Sequence, residues 1–173
     1  MIGVVGAALL AALITMFLTP PTREWCFRVG GGLVDMPGGR RVNEEPMPRG
    51  GGIPIFFGFM VSAALAILVR QLRLPHAHVW TPQVTGVLLG TLCITLCGFV
   101  DDLKSLSPKL QILAMVGASL ILIAFGVRVE GISNPFKTGE WLALNTLGSG
   151  LITVFWVLVV TKTVDAIDGL DGL

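Results

Sequence analysis

Five windows of this sequence, Ile2–Thr19, Gly52–Val69, Gln83–Val100, Leu110–Val127 and Leu147–Val160, run without an interior charge. Each is about as long as a helix needs to be to cross a hydrocarbon core roughly 30 Å thick, the last expected to continue to Val164. A chain that carries five such windows cannot fold around one small soluble core. With 53% hydrophobic and 13% charged residues in 173, and a mean hydropathy of +0.82, composition excludes an ordinary water-soluble domain. The expected fold is all-α, a polytopic membrane bundle of five transmembrane helices near residues 2–19, 52–69, 83–100, 110–127 and 147–164. The first window lacks both a basic leader and a small-residue cleavage pattern before Pro20 and Pro21, so it reads as a retained helix.

Charge distribution gives the orientation. Net charge is only +1 and calls for no nucleic-acid partner. With the N-terminus outside, Arg23, Arg28, Arg40, Arg41, Arg49, Lys104, Lys109 and Lys162 fall inside, against Arg70, Arg73, Arg128 and Lys137 outside. That bias favours N-out. The inner connections are then residues 20–51, 101–108 and 165–173. Outside, residues 128–146 alternate polar and apolar around a Ser133-Asn134-Pro135 turn, which suggests a small hairpin with Trp141 at the interface. His76 and His78 read as a surface turn. The three cysteines, Cys26, Cys93 and Cys97, offer no disulfide framework and suit helix packing.

The chemistry lies at the inner ends. Asp101 and Asp102 close the third apolar window, and Asp165, Asp168 and Asp171 close the fifth at intervals of three. Carboxylates at a helix C-terminus meet about half a negative charge from the helix dipole, so a cluster there calls for a cation. Magnesium suits such a place, because it takes one or two carboxylates and completes its shell with water and phosphate oxygens. Lys162 sits one turn before Asp165 and can pair with it. The long first loop brings the opposite charge in Arg40, Arg41 and Arg49, whose fork geometry suits phosphate, followed by Gly50, Gly51 and Gly52 at the start of the second helix. Arg23 and Arg28 read as topology anchors.

Three motifs together carry a family resemblance: V-D-M-P-G-G-R-R-V-N-E-E-P-M-P-R-G-G-G-I at residues 34–53, G-F-V-D-D-L-K at 98–104, and D-A-I-D-G-L-D-G-L at 165–173. In this order the chain resembles the polyprenyl-phosphate N-acetylhexosamine-1-phosphate transferases, glycosyltransferase family 4, in its N-terminal half. The resemblance implies transfer of a sugar-1-phosphate, GlcNAc-1-phosphate by the P-M-P-R-G-G-G form, from a UDP-sugar to undecaprenyl or decaprenyl phosphate. UMP would leave, and the product would open a cell-envelope polysaccharide such as lipopolysaccharide or teichoic acid. It further implies a bacterial inner-membrane enzyme with a cytoplasmic site, Mg²⁺ with Mn²⁺ as a substitute, and a homodimer among the compatible assemblies. Asp101, Asp102, Asp168 and Asp171 would be the catalytic and metal residues; Arg40, Arg41, Arg49, Gly50, Gly51 and Lys104 would bind substrate phosphates.

Departures are Asn43, where the family usually has histidine, and Lys162 and Asp165, where it usually has asparagine. The family's bundles have about ten helices, so the chain reads as roughly the first half of one domain. Other readings stay open on sequence: a phospho-N-acetylmuramoyl-pentapeptide transferase-like enzyme, an inactive truncated membrane protein, or an ion transporter, since acids at membrane helices also mark ion paths.

Overall fold

The structure, a computed structural model, describes residues 2–35, 46–73, 80–134 and 141–168, with side chains outside the description at 2 and 166–168. Among these residues five α-helices dominate: α1 (Ile2–Val29), α2 (Gly52–Arg73), α3 (Pro82–Lys104), α4 (Pro108–Ala124) and α5 (Thr146–Asp168). Two small antiparallel ribbons join them. In one, β1 (Val34–Asp35) pairs with β2 (Met47–Pro48); in the other, β3 (Gly131–Ser133) pairs with β4 (Trp141–Ala143). Among the described residues four helices are long and apolar enough to cross a membrane, and α4 is a shorter apolar helix of 17 residues. The protein is thus an all-α polytopic membrane bundle, as expected, and the hairpin expected near residues 128–146 is present as β3 and β4.

Helix bounds differ from the sequence expectation in an instructive way. The first helix does not stop at Thr19 but runs through Pro20 and Pro21 to Val29, so the first connection is shorter than residues 20–51. Each proline removes a donor from the helical ladder. The carbonyls that lose an i+4 donor are those of Met16 and Phe17, and hydroxyls bond the carbonyls on either side of them, Thr19 Oγ1 donating to Thr15 O at 2.7 Å and Thr22 Oγ1 to Leu18 O at 2.7 Å. Likewise α2 continues past Val69 to Arg73, α3 past Val100 to Lys104, and α5 past Val164 to Asp168. Loss of hydrophobicity marks where lipid ends, while backbone hydrogen bonding carries the helix further. In the other direction α4 ends at Ala124 rather than Val127, because Gly126 turns with φ 80°.

Residue contacts divide the chain into two compact units, Met1–Thr81 with Thr95–Ser107, and Pro82–Ile94 with Pro108–Leu173. In the first unit α1 packs along α2, closely enough at Gly58 that a Cβ there would strike Thr15 Oγ1 and approach Ala11 O to 2.8 Å. Small residues that let backbones approach are the usual basis of helix association in lipid. In the second unit α4 packs on α5, and Gly86 and Gly90 accept Phe125 and Leu122. Val129 N donates to Thr153 Oγ1 at 2.9 Å, fixing the ribbon β3–β4 to α5. Large apolar side chains such as Phe17, Ile55, Leu113 and Phe155 remain exposed, as suits surfaces that meet lipid.

Candidate active site

In the first unit the acid pair sits within the last turn of α3, both carboxylates half-buried. The two are not equivalent. Asp101 caps its own helix: its carbonyl accepts from Ser105 N at 2.7 Å and its Oδ1 from Leu106 N at 2.6 Å. Ser105 adopts φ 48°, the left-handed C-terminal conformation, and the backbone N–H donors turned toward Asp101 counter the unfavourable dipole. Asp102 lies about 100° further around the helix. Lys104 is exposed at the helix end.

The first loop rises from α1 through Gly30 and Gly31, both in the left-handed region (φ 65° and 63°), into a short 3₁₀ turn, Gly31–Leu33. There Gly32 lies against the carbonyls of Asp102 and Leu103, and Leu33 is fully buried. The loop closes on itself at its base. Val34 pairs with Pro48 and Asp35 with Met47, Arg49 N donates to Leu33 O at 2.9 Å, and Arg49 Nη2 lies 3.2 Å from Asp35 Oδ1. Gly50 is buried over the Sγ of Cys26, while Gly51 is exposed just before α2. Cys26, expected within the first inner loop, belongs to α1 and is fully buried there.

Thus the first unit sets the loop whose base carries Arg49 and Gly50 against the main chain of the helical turn that bears Asp101 and Asp102. Arg40, Arg41 and Asp171 lie outside the described residues, as do His76 and His78. Asp168 is the last residue of α5, with its side chain outside the description. In the second unit Lys162 pairs with Asp165 at 2.9 Å, as the spacing predicts, and also donates to Gln111 Oε1 on α4 at 2.5 Å. Three positions had no role in the sequence reading: Asp35 as the partner of Arg49, Gln111 as the partner of Lys162, and Gly32. The triple glycine at 30–32 was the only signal for the last.

Among the described residues, no group of three or more His, Cys, Asp or Glu side chains is placed to hold a metal ion. The donor chemistry nonetheless fits magnesium. Asp101 and Asp102 are hard oxygen donors at a partly buried helix end, and this ion commonly binds through one or two carboxylates with phosphate and water completing the shell.

A family model described as glycosyl transferase family 4 matches residues 84–173, a span that holds both the acid pair and the D-G-L-D-G-L segment. The probable undecaprenyl-phosphate N-acetylglucosaminyl 1-phosphate transferase of Bacillus subtilis is 29% identical over 177 residues, covering 100% of this chain and 44% of that protein. The decaprenyl-phosphate N-acetylglucosaminephosphotransferase of Mycobacterium tuberculosis is 29% identical over 165 residues, 95% of this chain and 40% of that protein. The undecaprenyl-phosphate alpha-N-acetylglucosaminyl 1-phosphate transferase of Escherichia coli K12 is 26% identical over 143 residues, 82% and 35% respectively. The chain therefore spans less than half the length of these curated relatives. No solved structure matches it.

Proposed function

The chain belongs to glycosyl transferase family 4, and on that footing we propose that it carries part of the site of a membrane enzyme that moves GlcNAc-1-phosphate from a UDP-sugar to a polyprenyl phosphate, with release of UMP. The observation that carries this reading is the seat of the first loop on the acid pair: Gly32 rests on the carbonyls of Asp102 and Leu103, and Arg49 returns to Leu33. Arginine donors on the loop and two carboxylates on the helix end beside it suit a diphosphate and the cation that accompanies it. The names of the relatives, which specify N-acetylglucosaminyl phosphate and polyprenyl phosphate, support the substrate class.

The attacking group would be the lipid phosphate. A phosphate monoester has its second pKa near 6 and is mostly dianionic at neutral pH, so no strong general base is needed. Catalysis then rests on positioning and charge neutralisation, as in phosphoryl transfer generally. Asp101 and Asp102 would hold Mg²⁺, with Asp168 and Asp171 as further candidates. When bound, the ion would neutralise the diphosphate oxygens as negative charge moves onto the leaving UMP. Arg49, with Arg40, Arg41 and Lys104, would orient the phosphates, and the backbone N–H groups at Gly50, Gly51 and the start of α2 would face them. This chemistry would lie at the cytoplasmic face of the bacterial inner membrane, with the product opening an envelope polysaccharide.

The test is transfer of radiolabelled GlcNAc-1-phosphate from UDP-GlcNAc to undecaprenyl phosphate by the full-length enzyme in lipid nanodiscs. Accumulation of labelled lipid and UMP in equal amounts is expected. Absence of labelled lipid under saturating Mg²⁺ and both substrates would sink the reading.

A further inference from the structure

A diphosphate held between the arginines of the first loop and two carboxylates needs those parts at a fixed separation, and in the first unit one glycine sets how closely the loop approaches the helix end that bears the acids. A Cβ on Gly32 would lie 2.7 Å from Asp102 O and 2.8 Å from Leu103 C, and would clash with Leu103 O as well. These are backbone atoms of the last helical turn, which cannot swing aside as the end of a flexible side chain can. Gly32 is not among the residues of positive φ, unlike Gly30 and Gly31. Glycine is required there by the approach and not by the local conformation.

Contacts on either side make this approach consequential. Leu33 is fully buried and its carbonyl accepts from Arg49 N at 2.9 Å, so Gly32 is one residue from the point where the loop returns. The returning strand is anchored again one residue after Arg49, where a Cβ on Gly50 would come within 2.5 Å of Cys26 Sγ. On the facing side, Asp101 is locked by its bond from Leu106 N at 2.6 Å. Trp25 of α1 stacks on Phe99 of α3 with ring centres 6.5 Å apart, holding the two helices together one turn before the acids.

We propose that Gly32 is a positioning residue whose bare α-carbon fixes the separation between the Asp101–Asp102 carboxylates and the phosphate-binding side of the first loop. This rests on the transferase reading and adds the element that sets the geometry of its site. A methyl group at residue 32 displaces the loop from the helix end by a fraction of an ångström to about 1 Å, and misplacement on that scale costs about 100-fold in rate. Both sets of groups remain present, so the donor still binds. Its diphosphate and cation are what lose registry.

The experiment uses the full-length enzyme in nanodiscs. For Gly32→Ala we expect kcat to fall about 10- to 100-fold, KM for the UDP-sugar to stay within about threefold, and the Mg²⁺ concentration for half-maximal activity to rise severalfold. In parallel, Mn²⁺ binding in the presence of the UDP-sugar, followed by electron paramagnetic resonance, is expected to weaken severalfold. Unchanged kcat, Mg²⁺ requirement and Mn²⁺ affinity would overturn the proposal. If Gly32→Ala does not accumulate, Leu33→Ala loosens the same seat without a clash and is read on the same quantities. A lowered melting temperature with kcat per folded enzyme and Mn²⁺ affinity both unchanged would mean a packing role only, and would equally overturn it. A wild-type enzyme that makes no labelled lipid would sink the transferase reading, while the Mn²⁺ measurement would still decide the role of Gly32.

Discussion

Arg49 Nη2 lies 3.2 Å from Asp35 Oδ1, so the arginine that the sequence offers to a substrate phosphate is also half of the clasp at the base of its own loop. The two side chains keep 32% and 21% exposure, and a pair with that much access to water contributes modestly to stability, about 1 kcal/mol or less. On the proposed function, an arriving diphosphate would compete with Asp35 for the guanidinium at small energetic cost.

That competition predicts an asymmetry. Arg49→Ala should lower transfer by about 10- to 100-fold, or about 1.4 to 2.7 kcal/mol, whereas Asp35→Asn should have a smaller effect and shift KM for the UDP-sugar more than kcat. The charge-reversed pair Asp35→Arg with Arg49→Asp should recover thermal stability without recovering transfer. Wild-type turnover in that double variant, measured with labelled donor, would refute a phosphate role for Arg49.

Replacing either acid of the pair separates structure from chemistry. Asp101→Asn and Asp102→Asn should each reduce turnover by two orders of magnitude or more, on the order of 3 kcal/mol. Asn at residue 101 still offers an oxygen to Leu106 N, so its melting temperature should match wild type; Asp101→Ala loses that acceptor and should be less stable by about 0.5 to 1.5 kcal/mol. Thermal unfolding in detergent, alongside the transfer assay, distinguishes them.

Stripping divalent ions should abolish transfer, and Mg²⁺ or Mn²⁺ should restore it. Full activity in excess chelator would exclude the assignment of metal to the Asp pair.

Packing of α1 on α2 should be sensitive at one point. Gly58→Ala places a methyl group against Thr15 Oγ1 and Ala11 O, and overpacking of this kind costs about 1 to 3 kcal/mol. Gly98→Ala, whose added methyl meets nothing within 4 Å inside α3, should hold or slightly raise the melting temperature. Equal melting temperatures for the two variants would contradict the close approach.

Much of this was readable in the residues themselves. Apolar runs locate the five helices, the turn at Ser133 marks the hairpin, and spacing pairs Lys162 with Asp165. What sequence could not reveal falls into two kinds. Helix ends at Val29, Lys104 and Asp168 lie beyond the lipid-like stretches, because polar residues continue a helix as readily as apolar ones once its ladder is formed. Contacts such as Gly32 on Leu103, Gly50 on Cys26 and Lys162 on Gln111 join residues far apart in the chain, and no local pattern records them.

The passage of α1 through Pro20 and Pro21 gives a single rod of 28 residues, about 42 Å long at 1.5 Å per residue. A hydrocarbon layer of roughly 30 Å leaves about 12 Å of that helix over, and its last turns carry Trp25 and Cys26, the footing of the first loop. Trp25 would then stand at headgroup level, a boundary that suits an amphipathic indole, and the chain that follows Val29 would begin outside the oil.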